Sequence, residues 1–330
     1  MNTRSHKAVR RSALFATLAC AFALTLPAQA QDAWPSKPIR LVLGFAAGGG
    51  TDVIARGIAQ KMGESLGTQV IVDNKPGANG NIASDMVAKS GADGYTLLYN
   101  TSSMVLSPAL YAKLSYDANR DFTPVAATAN LPIILVSAPA LPVRTAQELV
   151  SMMKASPGKL NYASAGNGNI THLSALLLLS AAGTSATHVP YKSEAPAVTD
   201  LAGGQVQFYM GTAPGVMPLI KDKRLIALAV STARRMDALP DVPTLSESVA
   251  KDLELGAWSG IMAPAGTKPE IIARLNGAIQ AAMKDKDLLA KFAAQGAEPK
   301  YLSTQQYGAF IQSESLRWTK IVKQNNVKMD

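Results

Sequence analysis

The chain has 330 residues, 48% of them hydrophobic and 17% charged, with 32 Lys and Arg against 23 Asp and Glu for a formal +9. No basic run is interleaved with aromatics, which excludes a nucleic-acid groove, and low charge excludes a disordered chain. One cysteine and three histidines leave little for thiol or zinc chemistry, so no metal or cofactor is expected.

Taken in chain order, the first element is not part of a fold. Arg4, Lys7, Arg10 and Arg11 precede an apolar stretch over 13–26, then Pro27 and the triplet Ala28-Gln29-Ala30. This is the build of a secretory signal peptide, residues 1–30, with the periplasm as destination. Its apolar part is too short for a permanent span. A lipid on Cys20 is the rival reading, but Thr17 stands where such signals carry Leu, and apolar residues run on to the better site after Ala30. Four of the basic residues and no acidic one lie in this leader, which leaves +5 on the remaining 300 residues. His172 and His188 are the histidines that remain, and no later segment reaches 18 apolar residues.

From there strand and helix patterns alternate, which predicts an α/β protein with sheets flanked by helices. Residues 39–45 read as a buried strand, broken by Gly48-Gly49-Gly50. Ile54, Ile58 and Met62 then recur at helical spacing until Gly67. Residues 69–72 and 95–99 are strands around a helix over 79–89. Thr145 and Glu148 form a capping box ahead of Leu149, Met152 and Met153. Residues 160–163 and 226–231 are strands, and 173–182 is an apolar helix. Thr267, Pro269 and Glu270 predict a second capping box, opening a helix through Ile271, Leu275, Ile279 and Met283. Ser303 and Gln306 open the last helix, whose Tyr307, Phe310, Ile311, Trp318 and Ile321 are expected to pack. Residues 125–137 and 255–262 fit no single unit and predict crossings between two lobes with a cleft between them. The first lobe is placed at 31–131 plus 257–330 and the second at 132–256.

Four loops rich in glycine or hydroxyls, 45–52, 75–81, 101–103 and 164–171, each join a strand to a helix. Such loops gather at the carboxyl ends of strands, and the free N–H groups of the following helices favour an anion. Enzyme patterns fit less well. Residues 44–52 lack the Gly-Lys-Ser/Thr of a phosphate loop and the Gly-x-Gly-x-x-Gly of a dinucleotide site. Around Ser164, a nucleophile elbow would need glycine where Tyr162 stands. His172 could serve Ser164 as a base, but no acid lies near to orient it, so a hydrolase is the weakest reading.

At these loops the chain resembles the extracytoplasmic receptors of tripartite tricarboxylate transporters, the Bug-type receptors. The likeness runs from Trp34-Pro35-x-Lys37-Pro38-Ile39-Arg40 almost to the end. It rests on Gly48-Gly49-Gly50-Thr51-Asp52-Val53-Ile54-Ala55-Arg56, Asn74-Lys75-Pro76-Gly77-Ala78-Asn79-Gly80-Asn81-Ile82, and Leu160-Asn161-Tyr162-Ala163-Ser164-Ala165-Gly166-Asn167-Gly168 with His172. His188-Val189-Pro190-Tyr191-Lys192, Leu239-Pro240-Asp241-Val242-Pro243-Thr244 and Ala263-Pro264-Ala265-Gly266-Thr267 complete it. The resemblance implies a type II-like periplasmic binding protein of two lobes, each a mainly parallel sheet flanked by helices. It implies a monomer, not an enzyme, that takes a di- or tricarboxylate or an aromatic acid to integral-membrane permease subunits. A sensor subunit signalling through a two-component histidine kinase would bind in the same way. Position by position, Phe45, Ala47, Gly48, Thr51 and Asp52 belong to the first ligand loop, Gly80 and Asn81 to the second and Ser102 to the third. Ala165, Gly166 and Thr171 approach from the other lobe. Asp52 is expected to cap its helix rather than meet an anion. Relatives carry Pro where this chain has Ala46-Ala47, and Met-Phe-Asp where it reads Tyr209-Met210-Gly211. Gly211 therefore implies a ligand without an amine.

Overall fold

The computed structural model of the chain describes residues 34–251, 253–325 and 327; the predicted leader lies outside them. The unit that begins at Lys37 opens with β1 (Ile39–Leu43), α1 (Gly50–Leu66), β2 (Val70–Asn74), α2 (Asn81–Ala88), β3 (Thr96–Thr101) and α3 (Ser103–Leu110). The long β4 (Phe122–Ser137) leads into α4 (Ala146–Ala155), β5 (Asn161–Ser164), α5 (Ile170–Ala182), β6 (Thr187–Pro190), α6 (Glu194–Ala202), β7 (Phe208–Thr212), α7 (Ala213–Lys221), β8 (Ile226–Val230) and the short α8 (Leu245–Ser248). β9 (Gly256–Pro264), α9 (Pro269–Ala282), α10 (Lys286–Ala294), β10 (Glu298–Leu302) and α11 (Thr304–Gln324) follow.

The strands run in the order β2-β1-β3-β9-β4-β7-β5-β6, with β10 and β8 also paired to β4. Where helices connect neighbouring strands the pairing is parallel: β1 with β2 and β3, and β5 with β6 and β7. A right-handed helical crossover returns the chain in the same direction. The middle of the sheet differs from the mainly parallel expectation, because β9 and β4 run antiparallel to each other and to their neighbours. β4 is shared: residues up to Pro132 pair with β9, the last of them opposite Gly256, whereas Ile133 to Ser137 pair with β7. These two strands are the residues 125–137 and 255–262 that fitted no single unit.

Local chemistry explains the element ends. Gly67 ends α1 in the left-handed conformation, φ 69°, its N–H bonded to Gly63 O. Thr145 and Ser303 head reciprocal capping boxes with Glu148 and Gln306, as the sequence indicates, and Thr244 with Glu247 makes a third. The box expected at Thr267 is absent: Lys268 is the cap residue, and the Thr267 hydroxyl donates to Pro264 O at 2.8 Å. Pro269 takes the first helical position, where its missing N–H costs nothing.

Ile54, Ile58 and Met62 are buried along α1, which packs on α9. In α11, Tyr307 and Trp318 are fully buried, and Trp258 and Trp318 both donate to Glu314 Oε2 at 3.2 Å. A second cluster joins Ile134, Val136, Tyr209, Val216, Met217 and Val230.

Candidate ligand site

A cleft with about 470 Å³ of empty space, its open mouth included, is lined from five helix starts. Gly50, Thr51 and Asp52 come from α1, Thr101 and Ser102 from the entry to α3, Asn169, Ile170 and Thr171 from α5, Ser193 and Glu194 from α6, and Thr212 from the entry to α7. Each helix follows the carboxyl end of a strand, so the parallel strands on both sides deliver their helix starts to one place. The opening N–H groups of a helix have no partner within it and carry its positive dipole end. No Lys or Arg is among the lining residues. The positive part of the field in the cleft therefore comes from backbone, and the charged side chains in the lining are the acids Asp52 and Glu194.

The first glycine loop is held by a clamp behind it. Asp52 Oδ2 accepts from Gly48 N–H at 3.0 Å and from Arg56 Nε at 2.9 Å, and its Oδ1 accepts from Asn74 Nδ2 at 2.9 Å. Asn74 Nδ2 also reaches Phe45 O at 2.9 Å, and Arg56 reaches Asn74 Oδ1 at 2.8 Å. Burial pushes the Asp52 carboxyl upward, but the hydrogen bonds from Arg56, Asn74 and Gly48 prevail and hold it below the usual aspartate value. Asp52 is spent on its own loop. It is not the cap residue of α1, which is Gly49.

On the facing side, Thr171 Oγ1 accepts from Ala165 N–H at 2.9 Å and donates to Asn169 Oδ1 at 3.0 Å. Asn79 ties this loop to the second glycine loop: its Nδ2 donates to Gly168 O at 3.0 Å, and its Oδ1 accepts from Asn169 Nδ2 at 3.1 Å. Asn79 holds a left-handed backbone, φ 54°, ψ 35°, which asparagine tolerates better than most residues. Ser102 and Ser193 are among the residues that line the cleft; they are almost wholly buried, and their hydroxyls have no partner among the described residues. Buried hydroxyls without partners are costly.

Six of the expected residues thus share the cleft: Phe45, Thr51, Asp52, Ser102, Ala165 and Thr171. The other six are not in its lining, although Gly80, Asn81 and Gly166 line adjoining pockets that share Phe45 with it. Ala47 and Gly48 are exposed, and Gly48 contributes its N–H to Asp52. Gly80 and Asn81 line a small pocket with Gly44, Ser84 and Tyr116, where Asn81 Oδ1 accepts from Tyr116 Oη at 2.8 Å. A Cβ on Gly44 would stand 2.5 Å from Gly80 Cα, so these glycines serve loop packing. Gly166 faces a groove with Tyr111, Asn167 and Lys192. Gly211 is buried, and a side chain there would run into Val216 and the Tyr209 ring. It packs against these two side chains, which a larger residue at this place would have to displace.

Glu194 is the residue sequence reasoning missed. An acid in the first turn of a helix reads as an ordinary exposed dipole partner, yet this one is 7% exposed. Its carboxylate accepts from Thr212 N–H and Oγ1, each at 2.7 Å, and from Tyr209 Oη at 3.1 Å, and the Gly50 N–H is directed at it from α1. Burial raises its pKa, and the four donors only partly offset this.

Ser164 is hydrogen-bonded at 2.6 Å to His188 Nε2, not to His172. The two histidine rings stack at 3.9 Å, with Tyr162 stacked on His188 at 4.9 Å. Burial lowers His172 to about 3 and His188 to about 4. Ser164 does not line the cleft. Among the described residues, no group of three or more His, Cys, Asp or Glu could hold a metal, and no helix is long and apolar enough to cross a membrane.

A profile of the family described as tripartite tricarboxylate transporter family receptor matches residues 54–327. Among solved structures, the periplasmic binding protein BugD is similar over 90% of this chain and 100% of its own, with a TM-score of 0.87 at 32% identity. An R. palustris protein solved with adipate is similar over the same shares, at 0.87 and 35%. MatC from Rhodopseudomonas palustris, with bound malate, is similar over 88% of this chain and 100% of its own, at 0.84 and 31%.

Proposed function

Because the chain belongs to the tripartite tricarboxylate transporter receptor family, we propose that it is a periplasmic solute-binding receptor, without catalytic activity, that captures a small carboxylate and delivers it to the membrane permease of such a transporter. One observation carries the reading: five helix starts and two unpartnered serine hydroxyls meet around one cavity that lacks a lysine or arginine. Each helix start contributes about 0.3–1 kcal/mol to an anion at an exposed site, and up to about 2 kcal/mol when water is partly excluded. Several together hold a carboxylate without a side-chain cation. The adipate and malate bound by two similar proteins support this ligand class.

In this reading residues 31–131 with 257–330 form one lobe and 132–256 the other, and the change of partners along β4 at Pro132 supports that division. Phe45, Thr51 and Ser102 meet the ligand from the first lobe, Ala165 and Thr171 from the second, and the receptor works as a monomer. The ligand drives closure by binding the closed arrangement better than the open one. The test is a thermal-shift and calorimetric screen of carboxylic acids. At 100-fold excess over Kd a ligand stabilises by about 2.7 kcal/mol, and silence across the panel refutes the reading. Ser102→Ala should weaken the ligand found by about 10- to 150-fold, the worth of one hydrogen bond to a charged group, while leaving the melting temperature of the free protein unchanged or higher. An unchanged Kd would remove Ser102 from the site.

A further inference from the structure

We propose that Glu194 makes this cleft selective for monocarboxylates: its own carboxylate occupies the cavity as a resident anion, so a ligand brings one carboxylate and an uncharged or hydrogen-bond-donating remainder. The inference rests on the carboxylate reading and narrows it.

Glu194 lines the cavity together with its neighbour Ser193 and with Thr212. Its two oxygens have about four acceptor sites; Thr212 N–H, Thr212 Oγ1 and Tyr209 Oη bond to them, and the Gly50 N–H is directed at them. Gly50 is the first residue of α1 and Thr212 the cap residue of α7. Groups at two of the five helix starts, which would otherwise receive a guest anion, are already taken. The backbone is shaped around this side chain. A Cβ on Gly215 would collide with the Glu194 carboxylate, and one on Gly50 would lie 2.5 Å from Gly215 N.

Asp52, the other acid in the lining, faces Arg56 and Asn74 and is balanced behind the loop. Glu194 has no such counter-cation among its partners. The unpartnered hydroxyls of Ser102 and Ser193, and the N–H groups at the starts of α3 and α5 other than those of Ser103 and Thr171, which bond Thr101 Oγ1 and Asn169 Oδ1, remain for one ligand carboxylate. A second would meet Glu194 in a cavity poor in water, where like charges repel strongly. A protonated Glu194 would offer its own O–H to a second carboxylate, so the selectivity belongs to the ionised form that its N–H and O–H donors favour. That form favours a ligand class in contrast to the similar proteins solved with adipate and malate.

The experiment is isothermal titration of the purified chain with acids matched in carbon skeleton: hexanoate against adipate, butyrate against succinate, benzoate against terephthalate. The wild type should bind the monocarboxylate of at least one pair about tenfold or more tightly than its dicarboxylate. Glu194→Gln, which keeps the shape, and Glu194→Ala, which frees the Gly50 and Thr212 donors, should each shift that ratio toward the dicarboxylate by about tenfold, with folding checked by circular dichroism. A wild type that prefers the dicarboxylates leaves the carboxylate reading intact and overturns the role of Glu194, as does an unchanged ratio in folded variants. Silence of wild type and variants toward every acid sinks both. Should the variants not fold, a ligand-bound crystal structure of the wild type decides. A second ligand carboxylate on the Gly50 or Thr212 amide refutes the proposal, and Glu194 retained there supports it.

Discussion

Asp52→Asn is the sharpest test of how the first loop is held. The substitution keeps size and shape but places an amide N–H where Oδ2 now accepts from Gly48 N–H and Arg56 Nε, at 3.0 and 2.9 Å. Hydrogen bonds to charged groups are worth about 1.5–3 kcal/mol. Gly48 is exposed and the Arg56 side chain is 50% exposed, so water recovers part of the loss. The expected destabilisation is about 2 kcal/mol, a fall in melting temperature of about 3 °C for a chain of this size. The effect depends on pH with a definite sign. The folded carboxyl lies below 3.8, so between its folded and unfolded pKa values the unfolded chain binds more protons. The contribution of Asp52 is complete above about pH 5 and is lost as pH falls through the folded pKa. Urea unfolding of both proteins from pH 7 to 3.5, followed by circular dichroism, should show a gap that narrows with acid. A gap below about 0.5 kcal/mol at pH 7, or one that stays constant with pH, would refute the clamp.

The stacked histidines predict a second pH effect. With His172 and His188 lowered to about 3 and about 4, the unfolded state binds more protons below its histidine pKa of about 6.5. Stability is then full above that value and falls as pH drops through the window down to about 4. His172→Phe/His188→Phe keeps the ring stack and should flatten this slope, and an unaltered slope counts against the assignment. Gly211→Ala places a methyl against Val216 and the Tyr209 ring and should cost about 1–3 kcal/mol in a denaturant melt. A neutral result would mean that β7 yields more easily than its burial indicates.

The alternation of strand and helix was readable because its causes are local. Ile54, Ile58 and Met62 mark α1 by spacing, and Thr145 with Glu148 marks α4 by cap chemistry. The convergence of the loops follows from strand direction alone, and Ser102 and Thr171 belong to loops singled out on that ground. What could not be read depends on partners distant in sequence. Gly211 and Gly80 carry the same letter as Gly50, yet only the fold decides which glycine faces a ligand and which accommodates a neighbour. Glu194 has the sequence context of a surface acid, and its burial comes from Thr212, Tyr209 and Gly50, which lie 18, 15 and 144 positions away. Asn79 likewise acts on Gly168 from 89 residues before it.

β4 and β9 have a mechanical consequence. Side by side, they form one hydrogen-bonded ladder up to Pro132 and Gly256, beyond which β4 alone runs on, paired with β7 and β8. In the two-lobe arrangement proposed above, rocking of one lobe against the other would have to bend or twist β4, which is bonded to strands on both sides of Pro132.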